Sequence, residues 1–277
     1  MTNVSPLAYA KTPTGNRIRG YCRMAHQTGR AAVVIGPPGV GKTEAVLQFA
    51  SEHVGKPEYI GMPPSQLARY VQMTSMCFTS THRTLLRIIT GIEGGVPTRY
   101  QPADRIGWVL SGLRGPLILD EAQWLNAQAI ETLRALSGDY GVPLVFVGNH
   151  TFGTRFDKER EGALAAFASR VVSPLRIDGI QREDVDAIGQ ANGVTNVEAL
   201  DVLAFVASRR SDLRPVEAVI RAAAIMGDVN ALKTLRQAAF IATGEELPKR
   251  LPRSAKILPF KPGRSSAPRA STRLSTG

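Results

Sequence analysis

Eight residues, GPPGVGKT from Gly36 to Thr43, constrain this chain more than any other stretch. They fit the pattern G-x-x-x-x-G-K-[ST], which carries meaning only between a buried strand and a helix. Both flanks are present. Ala31 to Ile35 is a short β-branched run that reads as a buried strand, and Lys42 to Ala50 reads as a helix. In that setting the glycines let backbone N–H groups turn inward around phosphate oxygens, and the helix N-terminus adds the positive end of its dipole. Gly36, Pro37, Pro38, Gly39, Val40, Gly41, Lys42, Thr43 and Glu44 are therefore the expected nucleotide-binding residues. Lys42 would reach the terminal phosphates and the Thr43 hydroxyl would ligate Mg²⁺, so ATP and Mg²⁺ are the expected cofactors.

A second motif supplies the partner chemistry. In PLILDEAQWL, Pro116 to Leu125, an apolar strand ends in two adjacent acids. That puts Asp120 and Glu121 at the carboxyl edge of the sheet, where open α/β folds bind ligands. Asp120 would hold the metal through water, and Glu121 would polarise the water that attacks the γ-phosphate. LVFVGNH places Asn149 at the end of a third apolar strand, where a neutral amide can orient that water.

Strands and helices alternate up to about Ile177. Arg69 to Met73, Leu117 to Leu119, Leu144 to Val147 and Val171 to Ile177 read as further strands. Helices are expected at Asn16 to Thr28, Thr81 to Ile92, Ala103 to Leu113 and Ala127 to Leu136. This pattern predicts the α/β class: a P-loop nucleotidase with a five-stranded parallel sheet covered on both faces. After Asp178 only helices are expected, at Arg182 to Ala191, Val197 to Arg209, Leu213 to Met226 and Ala231 to Thr243. The expected organisation is a loose start at 1–15, an α/β domain at 16–177, a helical domain at 178–244 and a basic disordered tail at 245–277.

Charge says where a polyanion would bind. The net charge is +11, yet Met1 to Arg30 holds five basic residues and no acid, and Leu247 to Gly277 holds eight and no acid. The stretch between them is therefore close to neutral, at −2. Basic ends of this kind suit nucleic acid, because phosphate contacts release condensed counterions. Neither end has the amphipathic apolar face a membrane surface would need, and no apolar run approaches the roughly 20 residues of a membrane helix. Two cysteines, Cys22 and Cys77, and no signal-peptide layout point to a reducing cytoplasm. The histidines are scattered without ligand spacing, which argues against zinc.

The phosphate loop, the DE strand, a strand-end Asn, an arginine before the last strand and a helical domain with SDLRPVEA together resemble the AAA+ ATPases. By that resemblance Asn149 matches sensor 1, Arg170 the arginine finger that reaches a neighbouring subunit's γ-phosphate, and Arg214 the sensor 2 arginine of the lid. The resemblance implies a homo-oligomer, a ring or helical filament with ATP at its subunit interfaces. Within the AAA+ proteins, GPPGVGKTEAV, the DEAQ box, the basic ends and the small helical lid look like the transposition ATPases of the Mu B and TnsC/TniB type. That implies double-stranded DNA and a transposase as partners, with target DNA selected in an ATP-dependent way. About 30 residues precede the first strand, fewer than the N-terminal helix-turn-helix domain of Mu B needs. DNA contact would then fall to the ATPase module and the basic ends, with Arg83, Arg87, Thr98, Arg99 and Arg105 as the candidates. A helicase loader or replication initiator, and a secretion ATPase of the ExeA type, are the alternative functions that the same motifs allow.

Overall fold

The computed structural model describes residues 7–52, 68–95, 102–113, 115–248 and 251, with 103 and 210 by backbone alone. Five strands form one parallel sheet: β1 (Ala32–Ile35), β2 (Arg69–Gln72), β3 (Leu117–Asp120), β4 (Leu144–Gly148) and β5 (Leu175–Arg176). Their order across the sheet is β2-β3-β4-β1-β5. In the register, Ile35 lies beside Gly148 and Leu119 beside Phe146. Because all the strands run the same way, the segments after β1, β3 and β4 emerge at one edge. The phosphate loop, Glu121 and Asn149 are thereby brought together.

Alternation along β1 divides its side chains between two cores, as the two-residue period of a strand requires. Val33 and Ile35 pack on one face with α4 (Thr81–Glu93), α5 (Pro102–Ser111) and α6 (Ala127–Tyr140). Ala32 and Val34 join the other face, against α1 (Pro13–Gln27) and α2 (Lys42–Ser51). That second core does not stop at the sheet. It continues without a break into α9 (Arg182–Ala191), α10 (Val197–Arg210), α11 (Arg214–Ile225) and α12 (Leu232–Thr243). A buried carboxylate also ties the two regions: Asp184 accepts from Thr14 N at 2.9 Å, Thr14 Oγ1 at 2.7 Å and Gln181 N at 3.0 Å.

Several elements differ from expectation. The strand expected over Val171 to Ile177 shrinks to Leu175–Arg176 plus a single bridge from Val171 to Ala31. Pro174 lies between the two and has no N–H to give the ladder. Two helices are additional, α3 (Ser75–Phe78) and α7 (His150–Glu159), while α8 (Ala165–Ala168) forms from the small-residue apolar run that precedes Arg170 and reads as a short buried helix. The first helix starts earlier than expected, at Pro13. Thr12 caps it by accepting from Gly15 N, and proline at the first turn costs no hydrogen bond. Residues 7–12, expected to be loose, lie against the body of the protein, where Ala8 N donates to Asn192 Oδ1 at 2.9 Å.

The short α8 is anchored by Phe167, whose ring sits 4.8 Å from Phe146 and 5.9 Å from Phe156 in edge-on contacts. Each such pair contributes about 0.5–1.5 kcal/mol beyond simple burial. Phe167 N also donates to Glu131 Oε1 at 2.9 Å, so the turn that carries Arg170 has a fixed origin.

Candidate nucleotide-binding site

The loop after β1 bends through two glycines in the left-handed region, Gly39 at φ 76° and Gly41 at φ 83°. Gly41 is also the N-cap of α2 and has no side chain to satisfy the first-turn N–H groups. Those donors and the helix dipole make an anion receptor. The Lys42 amine donates to Gly36 O at 2.9 Å and Pro37 O at 2.7 Å, folding back over its own loop. Burial pushes that amine down to about 8, only partly offset by the Asp120 and Glu121 carboxylates.

The Thr43 hydroxyl donates to Asp120 Oδ2 at 2.7 Å. Asp120 is 2% exposed and also accepts from Tyr70 OH at 2.9 Å and Glu121 N at 2.8 Å. Tyr70 was not among the expected site residues. Burial and the neighbouring Asp120 push its phenol up, so it acts there as a donor. A hydroxyl and a carboxylate this close at the phosphate loop are hard oxygen donors. They suit Mg²⁺, which takes one or two protein ligands and completes its shell with phosphate oxygens and water. Among the described residues no cluster of three or more His, Cys, Asp or Glu side chains offers a separate metal cage.

Lys42, Thr43 and Asp120, but not Tyr70, line a cavity of about 480 Å³. Its floor is the phosphate loop with Asp120, Glu121, Gly148 and Asn149. Its far walls are Leu7 to Ala10 and the lid residues Ile188, Asn192, Leu213, Arg214, Glu217 and Arg221. The Asn149 carbonyl oxygen caps α7 by accepting from Thr151 N at 2.9 Å and Phe152 N at 3.2 Å. That leaves the donor half of the amide as the end that can serve a ligand. Arg214 begins α11 with its side chain 73% exposed, and Asp212 Oδ2 is 3.9 Å from its guanidinium.

Comparison with known proteins agrees with this architecture. An AAA domain model matches residues 25–156, and the model of the Mu B transposition protein C-terminal region matches residues 169–232. The Mu-like prophage FluMu DNA transposition protein B of Haemophilus influenzae is 30% identical over 214 residues, covering 75% of this chain and 69% of that protein. The chain belongs to the Mu B family of transposition proteins. The ATP-dependent target DNA activator B of Escherichia phage Mu is 29% identical over 222 residues, 79% of this chain and 67% of that protein. Among solved structures, the Aeropyrum pernix ORC1 protein in complex with DNA shares the AAA+ fold, with a TM-score of 0.61 at 16% identity over 88% of this chain and 67% of that one. The A. pernix ORC2 protein gives a TM-score of 0.58 at 13% identity, over 87% of this chain and 70% of that one.

Other expected site residues of this Mu B-family chain lie away from the cavity. Arg170 is exposed on the turn after α8, and its carbonyl accepts from Ala31 N at 3.1 Å. It does not line the cavity. Arg83 and Arg87 line a shallow concavity of about 330 Å³ with Met76, Cys77 and Leu86. Arg87 Nε donates to Gln72 O at 2.9 Å, and Arg83 reaches the Met76 sulfur at 3.6 Å. Arg105 pairs with Glu93 and stacks 3.8 Å from the Trp108 ring centroid. Thr98 and Arg99 lie outside the described residues. Sequence reasoning missed Glu217 and Arg221, although with Arg214 they fall at i, i+3 and i+7 on one helix face. No helix among the described residues is long and apolar enough to cross a membrane.

Proposed function

We propose that this chain is an ATP-dependent activator of target DNA for transposition. It binds double-stranded DNA without much sequence preference and assembles on it as a homo-oligomer, a ring or helical filament with ATP between subunits. It delivers that DNA to a transposase, and hydrolysis drives disassembly. The observation that carries the reading is the meeting of Thr43 and Asp120, 2.7 Å apart beside a phosphate loop whose helix start is uncapped. The names of the Mu and FluMu relatives supply the transposition context.

In this reading the phosphate loop and Lys42 grip the triphosphate, and Lys42 exchanges two loop carbonyls for phosphate oxygens. Thr43 and Asp120 would hold Mg²⁺, which neutralises charge on the phosphates when bound. Glu121 accepts a proton from the attacking water, and the Asn149 amide orients that water from the adjacent strand end. Arg214 contacts the phosphates from the lid. Arg170, remote from its own cavity, serves the neighbouring subunit's γ-phosphate. Arginine fingers of this kind contribute about 10³–10⁵ in rate. Arg83 and Arg87 face DNA phosphates, with Thr98, Arg99 and Arg105 as further candidates.

Electron microscopy of the protein with double-stranded DNA, with and without ATP or a slowly hydrolysed analogue, tests the assembly. Filaments or rings on DNA only with nucleotide are expected, and monomers under every condition would overturn the reading. Glu121→Gln should keep ATP binding and assembly while hydrolysis stops. Normal turnover in that variant would remove Glu121 from the mechanism.

A further inference from the structure

Gln123 lies two residues past Glu121, behind the cavity rather than in its wall. Its amide bridges two strand ends. The Nε2 group donates to Glu121 Oε2, and Oε1 accepts from Asn149 N at 3.4 Å. A carboxylate can only accept and a backbone N–H can only donate, so reversing this amide would lose both partners. The Glu121 backbone is in the left-handed region at φ 57°, one of two non-glycine residues there among the described residues. Such a conformation persists only where its surroundings over-determine it.

Arg155 supplies part of those surroundings. It projects from α7, the helix that Asn149 caps, and donates to Gln123 O and Ala122 O at 3.4 Å each. Those carbonyls belong to the short 3-10 turn Ala122–Trp124 that follows Glu121. The guanidinium is flanked by the rings of Phe152, 5.7 Å away, and Phe78, 5.9 Å away. The turn after β3 is thus tied to α7 through both side chain and backbone.

We propose that Gln123, held by Arg155, is the positioning residue for the Glu121 carboxylate. It occupies one carboxylate oxygen and so presents the other to the water beside the γ-phosphate. This inference rests on the catalytic assignment of Glu121 made above, and it adds a residue that touches neither nucleotide nor metal.

The test is steady-state ATP hydrolysis by the full chain on double-stranded DNA, with affinity for a fluorescent ATP analogue measured in parallel. Gln123→Met keeps the side-chain length and loses both hydrogen bonds. It should lower kcat by roughly 10- to 100-fold, part of the 10²–10⁴ that a positioned base contributes, with analogue affinity within about twofold of wild type. Gln123→Glu keeps the oxygen acceptor but sets a second anion beside Glu121, and should fall at least as far. Arg155→Ala should lower kcat alone and add little to Gln123→Met, because both act through one turn. A kcat within twofold of wild type in both Gln123 variants overturns the proposal, as does a loss confined to nucleotide affinity. Failure of the underlying assignment looks different, because Glu121→Gln would then hydrolyse ATP normally.

Discussion

Asp212 of the lid sits directly against Gly39 of the phosphate loop. A methyl group on Gly39 would lie 2.0 Å from Asp212 Oδ1, far inside contact distance. Leu213 N, the next residue's amide, donates to Gly39 O at 3.0 Å. The lid therefore reads the shape of the loop at a position that has no side chain.

Gly39→Ala should disrupt this joint twice over, through the collision and through a φ of 76° that alanine adopts only under strain. Strain of that kind costs about 1–3 kcal/mol. ATP affinity should fall about 10-fold or more. Adding Asp212→Gly should recover part of the loss, because it removes the collision and leaves the strain. Unchanged binding by Gly39→Ala would mean that the lid docks elsewhere in solution.

The Lys42 amine sets a pH dependence of binding. With burial holding it down to about 8, it is cationic below that value and neutral above it in the ligand-free protein. The triphosphate favours the cation, so binding above pH 8 must take up a proton. Affinity should be level near pH 7 and weaken by up to about 10-fold per unit above 8. Calorimetry in buffers of different ionisation enthalpy would detect the uptake. Equal affinity at pH 7 and 9 without proton uptake would contradict this assignment.

Arg170→Ala tests action between subunits. The side chain is exposed and away from its own cavity, so the substitution should leave folding and ATP binding intact while hydrolysis drops at least 10²-fold. Mixing Arg170→Ala with Glu121→Gln should restore some turnover, since an intact arginine then meets an intact glutamate at mixed interfaces. No recovery in mixed assemblies would place the function of Arg170 within its own subunit.

Asp184→Ala probes the join between α1 and α9. It removes the acceptor of three hydrogen bonds, two from Thr14 and one from Gln181. Stranding buried donors costs about 1–3 kcal/mol each, so about 3 kcal/mol is a low expectation. At roughly 2–4 °C per kcal/mol for a chain of this size, Tm should fall by about 6–12 °C. A fall under 2 °C would show that water replaces the carboxylate.

The parts of the site that the sequence revealed are those whose chemistry admits few residue types. A phosphate-binding turn demands glycines, lysine and a hydroxyl, so Gly36 to Thr43 announced itself, and the acid pair Asp120 and Glu121 followed from the apolar strand before it. What stayed hidden depends on neighbours far along the chain. Nothing near Gln123 or Arg155 says that α7 and the turn after β3 will stand side by side. Tyr70 became a partner of Asp120 only through the pairing of β2 with β3. Val171 and Val172 have strand character, but Pro174 interrupts the ladder they would have joined. The residues from 7 to 12 showed no period because they line the cavity as an irregular segment, pinned by Asn192.

The continuous apolar interior limits how this protein could be taken apart. Ile18, Val34 and Phe49 share one cluster with Val185, Leu203 and Val219. A cut after β5 would bare both sides of that cluster, so neither half is a spare part. Exchanging the helical region with that of a relative would require α1 and α2 to travel with it. Inheritance in this lineage should therefore treat the ATP-binding core and its lid as one unit, recombining only at the ends.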